Sequence, residues 1–560
     1  MKKKLALFTT CAALMAAGCA EVPKRSTAGK EKVKEVRLLH LGDMHAQLET
    51  HWEFLPEAPG SLKKMGGFAR IKTALDQYRK SAPGAVFSVD GGDTFQGSAL
   101  AAWTQGKAIL GPLNGLEIDV GIPGNWEVVY GPEVFRDLME KVNYKVIAYN
   151  FEDKSSGKRL FAPSIVMEQA GVKVAFIGQT DITTTVRQPP AQVIGLDSTK
   201  TNGLRQYIAH LKIEENPDLV VLVDHNGLTP MVQLAKEIPE IDVILSNHTH
   251  ERVYKPIYVG NTIIVEPGSM GSFMGLLDLK IVNKKVVDAK YDFIQILEEK
   301  FPEDTKVKEL VEKEVKPFKS RLNEVVGHTK NRILRYDVLE SNMDNLVADA
   351  TREATNTDIS FTNGFRFSPP IAPGPIKEED LWNILPLDAN LKVGTVTGQQ
   401  LWDYLEREME LVFSKNPTKL SGGWGPRPSG LRIRFEAGAK EGSRIKKVFV
   451  GDEPLDLKKE YSLGGCERDG EPLEMICRVK EVKNARLVEG TAHSALRNYI
   501  KKHSPLNLKR DARVRATDLP DKVWSQYGLL QKMWDLPGNA DAVELPVAPE
   551  KNLKDFYSHR

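Results

Sequence analysis

The chain has 560 residues, more than a single hydrophobic core serves well, so at least two domains are expected. Its 77 lysines and arginines nearly cancel 75 acidic residues, and no basic stripe runs along it, which argues against a nucleic-acid polymer as partner. The apolar and charged fractions, 41% and 27%, are those of a soluble globular protein rather than a membrane-embedded or unfolded one.

At the N-terminus, Lys2 to Lys4 precede an apolar run from Leu5 to Ala17, followed by Gly18 and Cys19. That run is too short to span a bilayer and reads as an export signal. The AAGC ending resembles a bacterial lipoprotein box, although Ala16 stands where Leu is commoner. Residues 1–19 are then a signal peptide, Cys19 carries the lipid, and residues 20–34 form a polar tether. The protein would work on the periplasmic face of a bacterial membrane, touching it only through that anchor.

Five short turns follow in order: GDMH, GGDT, GNWE, DHNG and NHTH. Several come directly after apolar, β-type runs, namely Val36 to Leu41, Ala85 to Val89, Leu219 to Val223 and Asp242 to Leu245. Such runs alternating with helical stretches predict an α/β fold whose strand ends converge on one edge, where α/β sheets place ligands. The turns supply Asp43, His45, Asp93, Asn125, His225, His248 and His250, enough donors for two adjacent metal ions. Imidazole, carboxylate and one amide oxygen, without cysteine, suit manganese, zinc or iron better than copper or an iron–sulfur cluster. A bridging carboxylate would hold the ions about 3.5–4 Å apart around a shared water. Any one of these turns alone is more often an ordinary surface turn; the weight lies in their conjunction.

Further along, residues 301–328 have helical spacing and mixed charge, interrupted by Pro317, and are expected to connect two domains spanning residues 35–300 and 329–515. The Pro-rich remainder, 516–560, is expected as a tail draped on the surface or partly ordered.

These residues resemble the calcineurin-like metallophosphoesterases, and within them the two-domain 5′-nucleotidases, over roughly Val36 to Asp511. The resemblance implies an N-terminal metallophosphoesterase sandwich of mixed sheets flanked by helices, plus a C-terminal α/β substrate-binding domain. It also implies that Asp43, His45 and His250 hold one metal, that Asn125, His225 and His248 hold the other, and that Asp93 bridges them. The stretch from GGDTFQGSALAAW to GNWEVVYG, with DHNGL, SNHTHERV, GSMGSF and NGFRF, is similar to the thiosulfohydrolase branch of periplasmic sulfur-oxidising systems. Trp126 stands where nucleotidases carry a catalytic His, and that branch also has Trp there. Asn125 is the nucleotidase residue, whereas the branch often has His.

The same resemblance assigns FTNGFRF to the loop that presents an Arg to the substrate anion, making Arg366 the clamp and Asn363 its neighbour. A guanidinium grips phosphate and sulfonate oxygens alike. Base recognition in nucleotidases needs two stacked aromatics. Trp424 in SGGWGPRPSG suits either that role or a structural one, and no second aromatic follows GGCERDG. Trp126 is either a substrate contact or a packed aromatic beneath the site. With Cys11 removed and Cys19 lipidated, Cys466 and Cys477 are left to form a disulfide or, second, a reactive pair. Three functions stay open: release of sulfate from a sulfonate on a small thiol or carrier protein, a 5′-nucleotidase or related phosphoesterase, and a binding lipoprotein with weak turnover.

Overall fold

The computed structural model of the chain describes residues 32–56, 61–362, 366–420 and 424–543. The expected signal peptide, Cys19, most of the tether and Asn363 lie outside the described residues.

Two six-stranded sheets face each other in the N-terminal half. The first runs in the order Lys285–Gln295, Phe273–Val282, Lys34–Leu41, Ala85–Asp90, Val120–Gly121, Lys145–Val146. The second runs Ile257–Val259, Thr262–Val265, Val243–Ser246, Leu219–Asp224, Val172–Gln179, Ser164–Gln169. Side chains alternate along a strand, so one with both faces covered must be apolar almost throughout. Leu219–Asp224 shows this: Leu219, Val221 and Val223 fill the layer between the sheets, while Val220 and Leu222 face the helices Leu204–Glu214 and Leu228–Glu237. In the first sheet Val36 and Leu38 point inward and Leu39 and Leu41 pack with Phe68, Ile71 and Leu75 of the helix Phe68–Lys80. Phe87 and Phe176 meet edge-on across the layer, centroids 5.4 Å apart. Each such fully buried side chain contributes about 1.5–3 kcal/mol. The inner strands of each sheet are parallel, so their carboxyl ends emerge along one edge.

In the C-terminal half the strands Arg427–Ser429, Ile359–Thr362, Glu460–Cys466, Asn390–Thr397 and Lys483–Thr491 form a five-stranded sheet. The helix Asn342–Thr355, capped by Ser341, belongs to one apolar cluster on it, and Gly398–Phe413, entered through a capping box of Thr397 and Gln400, belongs to another. Between the halves a helix Thr305–Val315 gives way at Pro317 to a single 3₁₀ turn and the short helix Lys319–Leu322. Val307, Val311 and Val315, four residues apart, form a stripe buried in the N-terminal core.

Residues 516–543 differ from a surface tail. The helix Gln526–Trp534 buries Tyr527 among the N-terminal residues Leu228 and Ile257, while Leu529 and Met533 pack on the C-terminal core. Polar contacts repeat the bridge: the Tyr527 amide donates to Glu251 Oε1 at 2.9 Å, and Trp534 Nε1 donates to the Phe413 carbonyl at 3.2 Å. The apolar face of this helix could not be assigned from its Pro-rich surroundings, because its partners come from both halves. Among the described residues no helix is long and apolar enough to cross a membrane.

Candidate metal centre and anion cleft

The candidate ligands gather at the carboxyl edge of the two sheets. Asp43 and His45 follow Lys34–Leu41, Asp93 follows Ala85–Asp90, and Asn125 follows Val120–Gly121. His225 follows Leu219–Asp224, and His248 and His250 follow Val243–Ser246. Five of them hold left-handed backbone angles, with φ 50° at Asp43, 47° at His45, 54° at Asp93, 81° at His248 and 56° at His250. Non-glycine residues held there cost free energy, and they concentrate where the surrounding structure must aim side chains.

Two groups result: Asp43 with His45 and His250, and Asp93 with His225 and His248. His45 Nε2 and His250 Nε2 are 3.2 Å apart, and His250 Nε2 lies 3.1 Å from Asp43 Oδ1. Two ligand nitrogens on one tetrahedral ion, each about 2.0–2.1 Å from it, sit about 3.3 Å apart. His225 Nε2 is 3.1 Å from Asp93 Oδ2 and 3.8 Å from Asp43 Oδ1, so the groups adjoin. Tautomers are set from behind: His45 Nδ1 faces the Gln96 carbonyl at 3.0 Å and His225 Nδ1 the Gly91 carbonyl at 2.7 Å, leaving each Nε2 directed inward. Asn125 Oδ1 and His248 Nδ1 are buried without a hydrogen-bond partner. Such orphaned donor atoms beside carboxylates fit divalent cations.

The electrostatics agree. Burial opposes ionisation of Asp93, but His225 and His45 outweigh it and hold the carboxyl below its usual range; His250 and His225 do the same for Asp43. Burial, then His250, pushes His45 down to about 4, a neutral imidazole with a free lone pair.

Two sequence profiles match in order: calcineurin-like phosphoesterase over residues 36–252 and 5′-nucleotidase, C-terminal domain, over residues 325–464. The chain belongs to the 5′-nucleotidase family of calcineurin-like metallophosphoesterases. It is a metal-dependent hydrolase. A 5′-nucleotidase of Vibrio cholerae serotype O1 is 24% identical over 91% of this chain and 99% of its own. Among solved structures, sulfate thiohydrolase SoxB of Thermus thermophilus superposes with a TM-score of 0.80 at 23% identity, covering 88% of this chain and 98% of its own. A 5′-nucleotidase precursor, also of Thermus thermophilus, superposes with a TM-score of 0.76 at 23% identity, covering 87% and 100%.

In this family member a cavity of about 150 Å³ opens beside the candidate centre between the halves, and Asp93, Asn125, Trp126, Arg366 and Trp424 line it. Arg366 crosses from the C-terminal half and donates to the His248 carbonyl. Trp126 has its amide fixed on Asp93 Oδ1 at 2.8 Å and its indole edge-on to Phe367, centroids 5.8 Å apart. Phe367 in turn stacks on His45 at 4.1 Å. Trp424 is both core and wall: it belongs to the C-terminal cluster and packs edge-on to Tyr336 while lining the cavity.

Sequence reasoning passed over three residues. Glu127 is buried and accepts from the amides of Asp93, Thr94 and Gly124 at 3.2, 2.7 and 2.7 Å, tying two ligand loops together. Its place in GNWE was the available signal. Phe367, next to Arg366 in FTNGFRF, was the second. Arg187 reaches His248 Nε2 at 2.9 Å and had no motif to mark it.

The expected disulfide is corrected: Cys466 and Cys477 are free thiols. Cys477 faces Gly465 and donates to the Phe361 carbonyl at 3.5 Å. Cys466, one residue on along the strand, points to the opposite face and packs on the other apolar cluster. Burial pushes the thiols up to about 12 and about 11, away from the reactive thiolate.

Proposed function

We propose that the enzyme releases sulfate from a sulfonate carried on sulfur, the carrier being a small thiol or a protein. Asp43, His45 and His250 would hold one divalent ion, Asn125, His225 and His248 the other, and Asp93 would bridge; manganese is first choice, zinc or iron the alternatives. Bound ions would supply an activated water and clamp the oxygens of an in-line displacement. Arg366 would grip the sulfonate.

The observation that carries this reading is Trp126, an indole at the cavity wall directly after Asn125. A sugar alkoxide gains about 10²–10⁴-fold from a positioned proton donor. A thiol has a pKa of about 8.5, so its thiolate departs without a proton. In RS–SO₃⁻ + H₂O → RS⁻ + SO₄²⁻ + 2H⁺ the water oxygen bonds to the sulfonate sulfur, the S–S bond breaks, and the electron pair stays on the departing thiolate. An apolar aromatic wall of Trp126 and Phe367 suits that polarisable group.

The alternative, a 5′-nucleotidase or related phosphoesterase, draws on Asn125 and on the Vibrio relative. Export with a lipid on Cys19 is part of the proposal and follows from the N-terminal pattern. The deciding assay gives the manganese-loaded protein AMP and an S-sulfonated cysteine peptide side by side. Sulfate without phosphate supports sulfonate hydrolysis. Phosphate without sulfate overturns it, and neither product would move the reading to the binding lipoprotein.

A further inference from the structure

Arg366 is not the only guanidinium at this cavity. Arg187 belongs to the N-terminal half, in the short helix Thr184–Arg187 that follows the carboxyl end of Val172–Gln179. Its Nε is anchored by Asp181 Oδ2 at 3.0 Å and Thr183 Oγ1 at 3.0 Å, and its Nη2 donates to the same hydroxyl at 2.8 Å. Its carbonyl accepts from Arg468 of the C-terminal half, which fixes the backbone as well. The remaining nitrogen, Nη1, points to His248 Nε2 at 2.9 Å. At the same cavity Arg366 has a buried Nε without a hydrogen-bond partner, and burial together with the neighbouring Arg187 lowers its pKa to about 10. Two like charges are therefore held on one cavity beside the metal centre. That arrangement is costly unless an anion occupies the space between them.

The contact between Arg187 and His248 carries a chemical constraint. Arg187 can only donate, so His248 Nε2 must offer its lone pair. A neutral imidazole has one lone pair. If the ion takes Nε2, Arg187 is displaced; if it takes Nδ1, Nε2 carries the proton and Arg187 again loses its acceptor. A loaded centre and the Arg187–His248 hydrogen bond exclude each other.

We propose that Arg187 is a second anion-binding residue of the active site: loading of the centre releases its guanidinium from His248, and it grips the tetrahedral oxyanion together with Arg366, which comes from the other half of the molecule. The proposal rests on the reading of this cleft as a hydrolytic centre for a sulfonate or phosphate, and it holds for either anion. The clamp would be built on the metallophosphoesterase half itself, with Asp181 and Thr183 as the positioning residues that aim it.

The test uses the full chain and reads binding rather than turnover. Calorimetric titration of manganese into the metal-free protein should show tighter binding, by severalfold, in Arg187→Gln than in the wild type, because the competitor for His248 is gone. Titration of inorganic sulfate and phosphate into the manganese-loaded proteins should show anion binding weakened about 10–100-fold in Arg187→Gln, the loss of one or two charged hydrogen bonds. Arg187→Lys should recover part of it, since the charge remains and the fork does not. Anion binding within twofold of wild type in Arg187→Gln, or manganese binding unchanged or weakened, overturns the proposal. A wild type that binds manganese but neither anion would also sink the reading of this cleft as a site for a sulfonate or phosphate, which separates the two failures.

Discussion

Asp93 belongs to the second candidate ligand group, 3.1 Å from His225 through Oδ2, while Oδ1 accepts the Trp126 amide. Asp93→Asn should leave the circular dichroism spectrum intact and cut kcat by at least about 100-fold, the upper end of what a lost supporting group costs. Activity within tenfold of wild type would remove the bridging role. For the thiols, non-reducing peptide mapping should find Cys466 and Cys477 in separate unlinked peptides, slow to alkylate at pH 8 because burial keeps both protonated; a linked pair would contradict the fold described here. Six of the seven ligand candidates were legible because each follows an apolar run, and Asn125 because GNWE completes the set of turns. Arg187 was not, since TTTVRQPP carries no pattern until folding brings Asp181 and Thr183 around it. The disulfide was misjudged for a related reason: which face a cysteine takes depends on strand parity against its neighbours, and Cys466 and Gly465 differ in that by one residue.

The loops at the carboxyl edge work as a set. Gly124 lies against its neighbour so closely that an added Cβ would meet the Asp93 backbone nitrogen at 2.5 Å and His225 Cε1 at 2.8 Å. Gly124→Ala should push the Asp93 loop off its position, so that metal analysis finds bound manganese reduced while the melting temperature changes little. Full metal loading would show that the loop spacing is not critical. Glu127→Gln should act in the same direction more weakly, because it keeps the shape but turns one of the two oxygens that accept those three amides into a donor. Four inner strands of the sandwich were readable as elements because both faces are buried. The helix Thr305–Val315 was readable from its valine spacing, and the break at Pro317 from the residue itself. The hairpin of His51–Leu55 and Ser61–Met65, with mixed polar residues and modest burial, offered no such periodicity.

At the scale of the molecule, the segment 516–543 makes the two halves one unit. Trp524 stacks on Tyr336 with centroids 6.1 Å apart and tilts against Phe54 at 5.5 Å, Tyr527 is wholly buried, and the Tyr254 amide donates to the Ala542 carbonyl at 2.8 Å. Any rotation of one half against the other would have to break this strap. Here Arg366 already reaches the His248 carbonyl. Tyr527→Ala should cost about 3–5 kcal/mol, as for other large buried rings, and speed amide exchange both in the helix Leu228–Glu237 and near Phe413. Acceleration on one side alone would show that the segment serves only that half. The central claim concerns what leaves the cleft, and Trp126→His tests it most directly, with kcat/KM measured for AMP and for the S-sulfonated peptide before and after the change. The account predicts sulfate release by the wild type with little phosphate, and a gain in phosphate release of about tenfold or more once an imidazole can protonate the alkoxide. Phosphate release that is already fast in the wild type, or that does not rise in the variant, would contradict it.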